Sequence, residues 1–90
     1  MEIDNLKVMR IGDVRTGTSK ATGNEWSVQD LILSWQDERG ETNFIRVTGE
    51  SILCYGLEVG DTISANLNFR TRVLSSGLVV NDIKVINLKK

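Results

Sequence analysis

With 90 residues the chain has room for one modest core and not for a second, because a chain this short buries only about two-thirds of the surface it exposes when unfolded. A hydrophobic content of 40% with a net charge of only −1 excludes a disordered chain, and it excludes a strongly basic nucleic-acid binder, so any phosphate contact must come from local clusters. The absence of histidine and the single cysteine, Cys54, exclude an intrachain disulfide, most metal sites and every Ser-His or Cys-His catalytic arrangement.

The hydrophobic period is mostly two, so strands dominate. In the first run, residues 6–16, Leu6 and Val8 keep one parity while Met9 and Ile11 keep the other. A bulge or bend is expected where the parity changes, around Gly12. The second run, 25–35, ends at the turn-rich "QDERGET". In the third, 43–48, Ile45 and Val47 share one face and Phe44, Arg46 and Thr48 the other. The stretch "GESILCYGLEVGD", 49–61, predicts a short helix. Ser51 or Glu50 serves its N-terminus, Gly56 takes the left-handed position that ends it, and Leu57 folds back on Ile52.

Gly60-Asp61 then turns tightly into the fourth run, 62–70. Ile63, Ala65, Leu67 and Phe69 point inward there, and Ser64, Asn66, Asn68 and Arg70 outward. The fifth run, 78–88, shifts parity from Ile83 and Val85 to Ile86 and Leu88, which again predicts a bulge. Strands bent at bulges and glycines can coil round and close a sheet. The predicted fold is therefore all-β: a five-stranded Greek-key OB-fold barrel with one short helix between strands 3 and 4, forming one domain over 1–90. An SH3-like barrel is the main rival, and it usually lacks a helix at that place.

Three stretches carry a family resemblance: "TGTSKATGNEW" (16–26), "QDLILSW" (29–35) and "LEVGDTISANL" (57–67), with Asn81-Asp82 and the strand after them also fitting. The chain resembles bacterial OB-fold domains of the single-stranded-DNA-binding type. It is more closely similar to a small bacterial OB family that carries "SGTSKxGxxW", an alternating "QxFxLE" strand and a "VGDxVxV" turn and strand. The likeness runs over about 6–88. Its loop motif is fairly specific, whereas the "VGD" turn is common to many OB barrels. The resemblance implies single-stranded nucleic-acid binding, on a fold that also serves protein and oligosaccharide ligands. One departure is the ending "NLKK", where full replication proteins carry a long flexible tail with an acidic, aromatic-ended tip. Recruitment of repair enzymes through such a tail is not expected.

Each candidate residue has a functional and a plain reading. The loop "GTSKATGN" is not a nucleotide-binding P-loop: five residues, not four, separate Gly17 from Gly23, and a strand follows rather than a helix. It is either a simple hairpin turn or a mobile basic finger carrying Arg15 and Lys20 beside the binding groove. Trp26 shares a parity with Val28, Asp30, Ile32 and Ser34, while Leu31, Leu33 and Trp35 take the core side. Trp26 thus faces outward, as a stacking platform for a base or as the cover of a barrel end or dimer contact.

Phe44 and Arg46 face outward on strand 3. Together they match the stacking-plus-charge pattern of single-strand binders, or an apolar subunit contact. Arg70 and Arg72 frame the loop between strands 4 and 5. With Arg15, Lys20 and Arg46 they either neutralise phosphates or are ordinary solvated arginines. The turn bearing Asp37, Glu38 and Glu41 repels a phosphate chain and marks where it does not run. Cys54 reads as a small buried hydrophobe. The acids are scattered, although folding could gather Asp13, Asp30 and Asp82.

The expected function is non-enzymatic binding of single-stranded DNA or RNA by a homo-oligomer, dimer or tetramer. No cofactor, metal, small-molecule substrate or membrane is involved. With no membrane-spanning stretch and no signal-peptide pattern, the cytoplasm is the expected location. The alternative is a protein–protein or oligomerisation module, supported by mild acidity and by Val28, Ile32 and Phe44 as apolar outer positions.

Overall fold

Alternating apolar residues make strands here because each one offers a single side to a shared interior. The computed structural model describes Met1–Lys90. Its strands are β1 (Glu2–Thr18), β2 (Glu25–Gln36), β3 (Thr42–Glu50), β4 (Thr62–Val73) and β5 (Val79–Lys89), with one 3-10 turn, Ser51–Cys54, between β3 and β4. The strands close in the order β1-β2-β3-β5-β4. All neighbours are antiparallel except β3 and β5, which run parallel and meet only at Thr48–Lys84 and Gly49–Val85. That closed Greek-key order, with the turn between β3 and β4, is an OB-fold. No helix is long and apolar enough to cross a membrane.

Closure depends on β1, which pairs with β4 through its first residues and with β2 thereafter. Two irregularities bend it: Met9 is skipped between the pairs of Val8 and Arg10, and Gly12-Asp13 oppose Asp30 alone. The expected bend at Gly12 is present, joined by one at Met9. On β5 the partner of Asn66 is Asn87 and that of Leu67 is Val85, so Ile86 is the bulged residue. This is the parity change expected between Val85 and Ile86.

The interior is filled by Leu6, Val8, Leu31, Leu33, Val47, Ile63, Ala65, Leu67 and Val85. Cys54 and Leu57 join the same cluster. Burial pushes the Cys54 thiol above its ordinary pKa, which leaves it a packed hydrophobe rather than a nucleophile. Trp35 and Ile45 are partly buried against this core.

Two sequence expectations are corrected. Phe69 is not in the core; it is 50% exposed. The contact of β5 with β3 goes no further from the core than Lys84, so residues 69–83 of β4 and β5 form a two-stranded arm with no third strand to cover it. The helix shrinks to four residues of 3-10 turn, flanked by extended backbone at Glu50 and Tyr55. Glu50 makes no side-chain cap, and the Ser51 hydroxyl instead pairs with that of Ser27 at 2.6 Å. Gly56 is left-handed (φ 77°) as expected. The reversal nevertheless sends Leu57 into the core and leaves Ile52 77% exposed, so the predicted contact between them gives way to deeper burial of one partner.

The turn entering β4 is tied down by Asp61. Its carboxylate accepts the Glu58 backbone N–H at 2.9 Å and lies 3.1 Å from the Lys90 ammonium. These contacts, the Glu58 bond first, hold its pKa below the usual carboxylate range.

Candidate nucleic-acid interface

Register fixes which side chains share the outer wall. Between β2 and β3 it runs unbroken from Val28–Glu50 to Gln36–Thr42. Ser34 with Phe44, Ile32 with Arg46, and Asp30 with Thr48 therefore lie on one face, and Trp26 continues it beyond Val28. Across β1 the same face receives Arg10 opposite Ile32, Arg15 opposite Val28 and Gly17 opposite Trp26. Both aromatic rings stand uncovered on this wall, Trp26 at 47% and Phe44 at 59% exposure. Trp26 lies eight β2 residues from Ser34, the partner of Phe44, so the two rings are about 27 Å apart along the strand.

The seam between β3 and β5 completes the wall. Lys84 pairs with Thr48 on one side and Asn68 on the other, and Arg70 sits two pairs further along the arm, on the same face and opposite Asp82. Two shallow clefts meet at Val28 and Lys84. One, of about 490 Å³, is bordered by Trp26, Ser51 and Ile52, with Glu25 and Glu50 also on its rim. The other, of about 400 Å³, is bordered by Thr48, Asn68, Arg70 and Asp82. Together they form a trough along the seam from Trp26 to Arg70. A smaller hollow of about 250 Å³ lies between Arg10, Asp30, Ile32 and Arg46.

The cations on the wall are not equivalent. Arg15 Nη2 donates to Asp30 Oδ1 at 2.9 Å, and Thr48 Oγ1 donates to the same oxygen at 3.0 Å. Arg72 grips Asp82 with two nitrogens, Nε to Oδ2 and Nη2 to Oδ1. Arg46, Arg70, Lys20, Lys84 and Arg10 form no ion pair. Of the five cations singled out in the sequence, three are thus free and two already face a carboxylate.

The two ends of the wall also differ. The β2–β3 turn carries Asp37, Glu38 and Glu41 close to Phe44. The Asn43 amide, then the Glu41 and Arg39 backbone N–H groups, hold the Asp37 carboxyl below its ordinary range. Free cations are therefore concentrated along the seam, at Lys84 and Arg70, while Arg46 lies nearer Phe44 and the Trp26 cleft carries Glu25 and Glu50 on its rim.

Lys84 and Arg10 were missed in the sequence. Lys84 could have been placed outward from its position between Ile83 and Val85, but only the non-local β3–β5 pairing sets it beside Thr48. Arg10 turns outward because the bulge falls at Met9; alternation from Leu6 and Val8 would have pointed it inward. Asp13, Asp30 and Asp82 do not form a metal-holding group: no three His, Cys, Asp or Glu side chains are so gathered.

No family model matches the chain. No curated protein matches it either. Among solved structures it is similar to a small single-stranded DNA-binding protein from Streptomyces coelicolor, with 16% identity over 99% of this chain and 92% of that one and a TM-score of 0.48. That likeness is one of backbone fold.

Proposed function

We propose that this chain is a non-enzymatic, sequence-tolerant binder of single-stranded nucleic acid, DNA foremost. The observation that carries this reading is an exposed indole on the same wall as several unpaired cations, at the clefts that meet at Val28 and Lys84. Every base has an apolar face, so stacking on Trp26 is indifferent to sequence. Arg70 and Lys84 hold the phosphates along the trough, Arg46 adds its charge from the neighbouring hollow, and Lys20 joins them from the β1–β2 hairpin turn. Arg15 and Arg72 add to the field only as far as their carboxylate partners permit. Phe44, at the acidic end, takes a base only from a strand long enough to reach it. The unit that binds is the single domain 1–90, working as a homo-oligomer in the cytoplasm.

The test is a titration of tryptophan emission with an oligothymidylate at low salt. Quenching that disappears in Trp26→Ala supports the reading; no quenching, or quenching untouched by that change, contradicts it. Asp30 supplies a second check. Asp30→Asn releases Arg15 and removes a negative charge from the wall. Binding is expected to tighten roughly two- to fivefold, the scale of an exposed ion pair. The salt slope should steepen by about 0.7, the share of one added phosphate contact on a single strand. Weaker binding would show that Asp30 positions the wall rather than opposing the ligand.

A subunit contact is the second reading, and the β4–β5 arm favours it. Phe69, Val73 and Val79 are exposed on one side of the arm, while Arg70, Arg72, Asp82 and Lys84 all lie on the other. That side carries no charge and is apolar on both flanks of its Thr71–Asn81 pair, which suits another copy of itself. Sedimentation of wild type and Phe69→Glu tests it: an oligomer lost in the variant is expected, and an unchanged mass overturns the assignment to this arm.

A further inference from the structure

A ring that stacks on a base needs one free face and a fixed attitude. The attitude of Trp26 is set from across the hairpin. Gly17 is its direct cross-strand partner, and the indole lies on the Gly17 backbone. A β-carbon placed on Gly17 would fall 2.6 Å from Trp26 Cε2 and 2.9 Å from Cη2, and closer still to Cζ2. The order of these distances puts that carbon above the ring plane at its Cζ2 edge, so the backbone of Gly17 lies against one face of the indole along that edge. Real β-carbons essentially never come within 3.0 Å of a neighbour, so any other residue at 17 must displace the indole.

Backbone conformation gives no separate reason for this glycine. Gly23, Gly40, Gly56, Gly60 and Gly77 have positive φ, and Gly17 does not. Position 17 asks only for the absence of a side chain. A glycine inside a strand weakens it, and what this one provides is a floor for a ring. With one face of the indole on the backbone and the residue still half exposed, the other face is left toward solvent.

We infer that Gly17 is a positioning residue for Trp26: it seats the indole flat, so that the chain offers one stacking face to one base at the start of the trough. This rests on the stacking function proposed above. A ring lying on a strand glycine also stabilises sheets without any ligand, and the experiment separates the two roles.

Affinity is read by anisotropy of a labelled oligothymidylate for wild type, Gly17→Ala, Trp26→Ala and the double variant, each checked for folding by its thermal unfolding midpoint. Gly17→Ala is expected to weaken binding about tenfold in the wild-type background, on the scale of one lost stack. It should add no further loss in the Trp26→Ala background, because the two act as one unit. Gly17→Ser should behave alike. A second readout needs no nucleic acid: with Trp35→Phe leaving Trp26 as the sole tryptophan, Gly17→Ala should change acrylamide quenching of its emission. Binding by Gly17→Ala within about twofold of wild type, an equal loss in both backgrounds, or unchanged acrylamide quenching would each overturn the role of Gly17. If Trp26→Ala itself binds like wild type, the stacking function falls and the role of Gly17 with it. If Trp26→Ala is weak and Gly17→Ala is not, only the role of Gly17 falls.

Discussion

Replacing Trp26 by Ala is expected to weaken binding of an oligothymidylate by about five- to 150-fold, because one base–aromatic stack is worth about 1–3 kcal/mol. The change should leave the fold standing, since Trp26 is 47% exposed and outside the buried cluster. Its slope of log affinity against log salt should stay near that of wild type, because the indole touches no phosphate. This combination separates a lost stack from a lost charge. Arg70→Ala or Lys84→Ala should do the reverse, with a modest loss at low salt and a slope shallower by about 0.7. A Trp26→Ala protein with unchanged affinity would leave the trough with cations and no platform.

Leu33→Ala carries the largest expected effect on stability. Leu33 is 0% exposed at the middle of the barrel wall, paired with Val8 on β1 and Ile45 on β3. Truncating a fully buried leucine costs about 2–5 kcal/mol, through lost transfer energy and the cavity left behind. Domains of this size are stable by only about 5–15 kcal/mol in total, and only 13 of 90 residues are buried here. No second core compensates. The thermal midpoint should fall by about 10–30 °C, measured by circular dichroism or calorimetry. Phe69→Ala, which strand alternation alone would rank with the core, should cost less than half as much. Equal costs at the two positions would mean that the arm is covered in solution, as a subunit contact requires.

Local alternation was enough to find the strands, and the parity changes near Gly12 and at Ile86 were enough to find two bulges. Those features depend on neighbours in sequence. The errors arose where distance in sequence matters. Phe69 obeys the alternation of Ile63, Ala65 and Leu67, yet the barrel is closed by β3 only as far as Lys84, so the same parity faces solvent two residues beyond Leu67. The segment 49–61 has the residues of a capped helix, but Leu57 gains more by entering the core than by resting on Ile52. The candidate wall was legible for Trp26, Phe44 and Arg46 because parity places them. The carboxylates that meet Arg15 and Arg72 come from other strands, as does the seam that brings Lys84 beside Thr48, and no local pattern reports them.

The proposed seat of a single strand is the trough along the seam, where stacking and free cations act together. Affinity for an oligothymidylate and for duplex DNA of equal length, each measured across a salt series, tests it most directly. The expected result is a clear preference for the single strand, with a log–log slope of about −2 to −3 from three or four phosphate contacts. A preference for the duplex, or binding to neither at low salt, would contradict it.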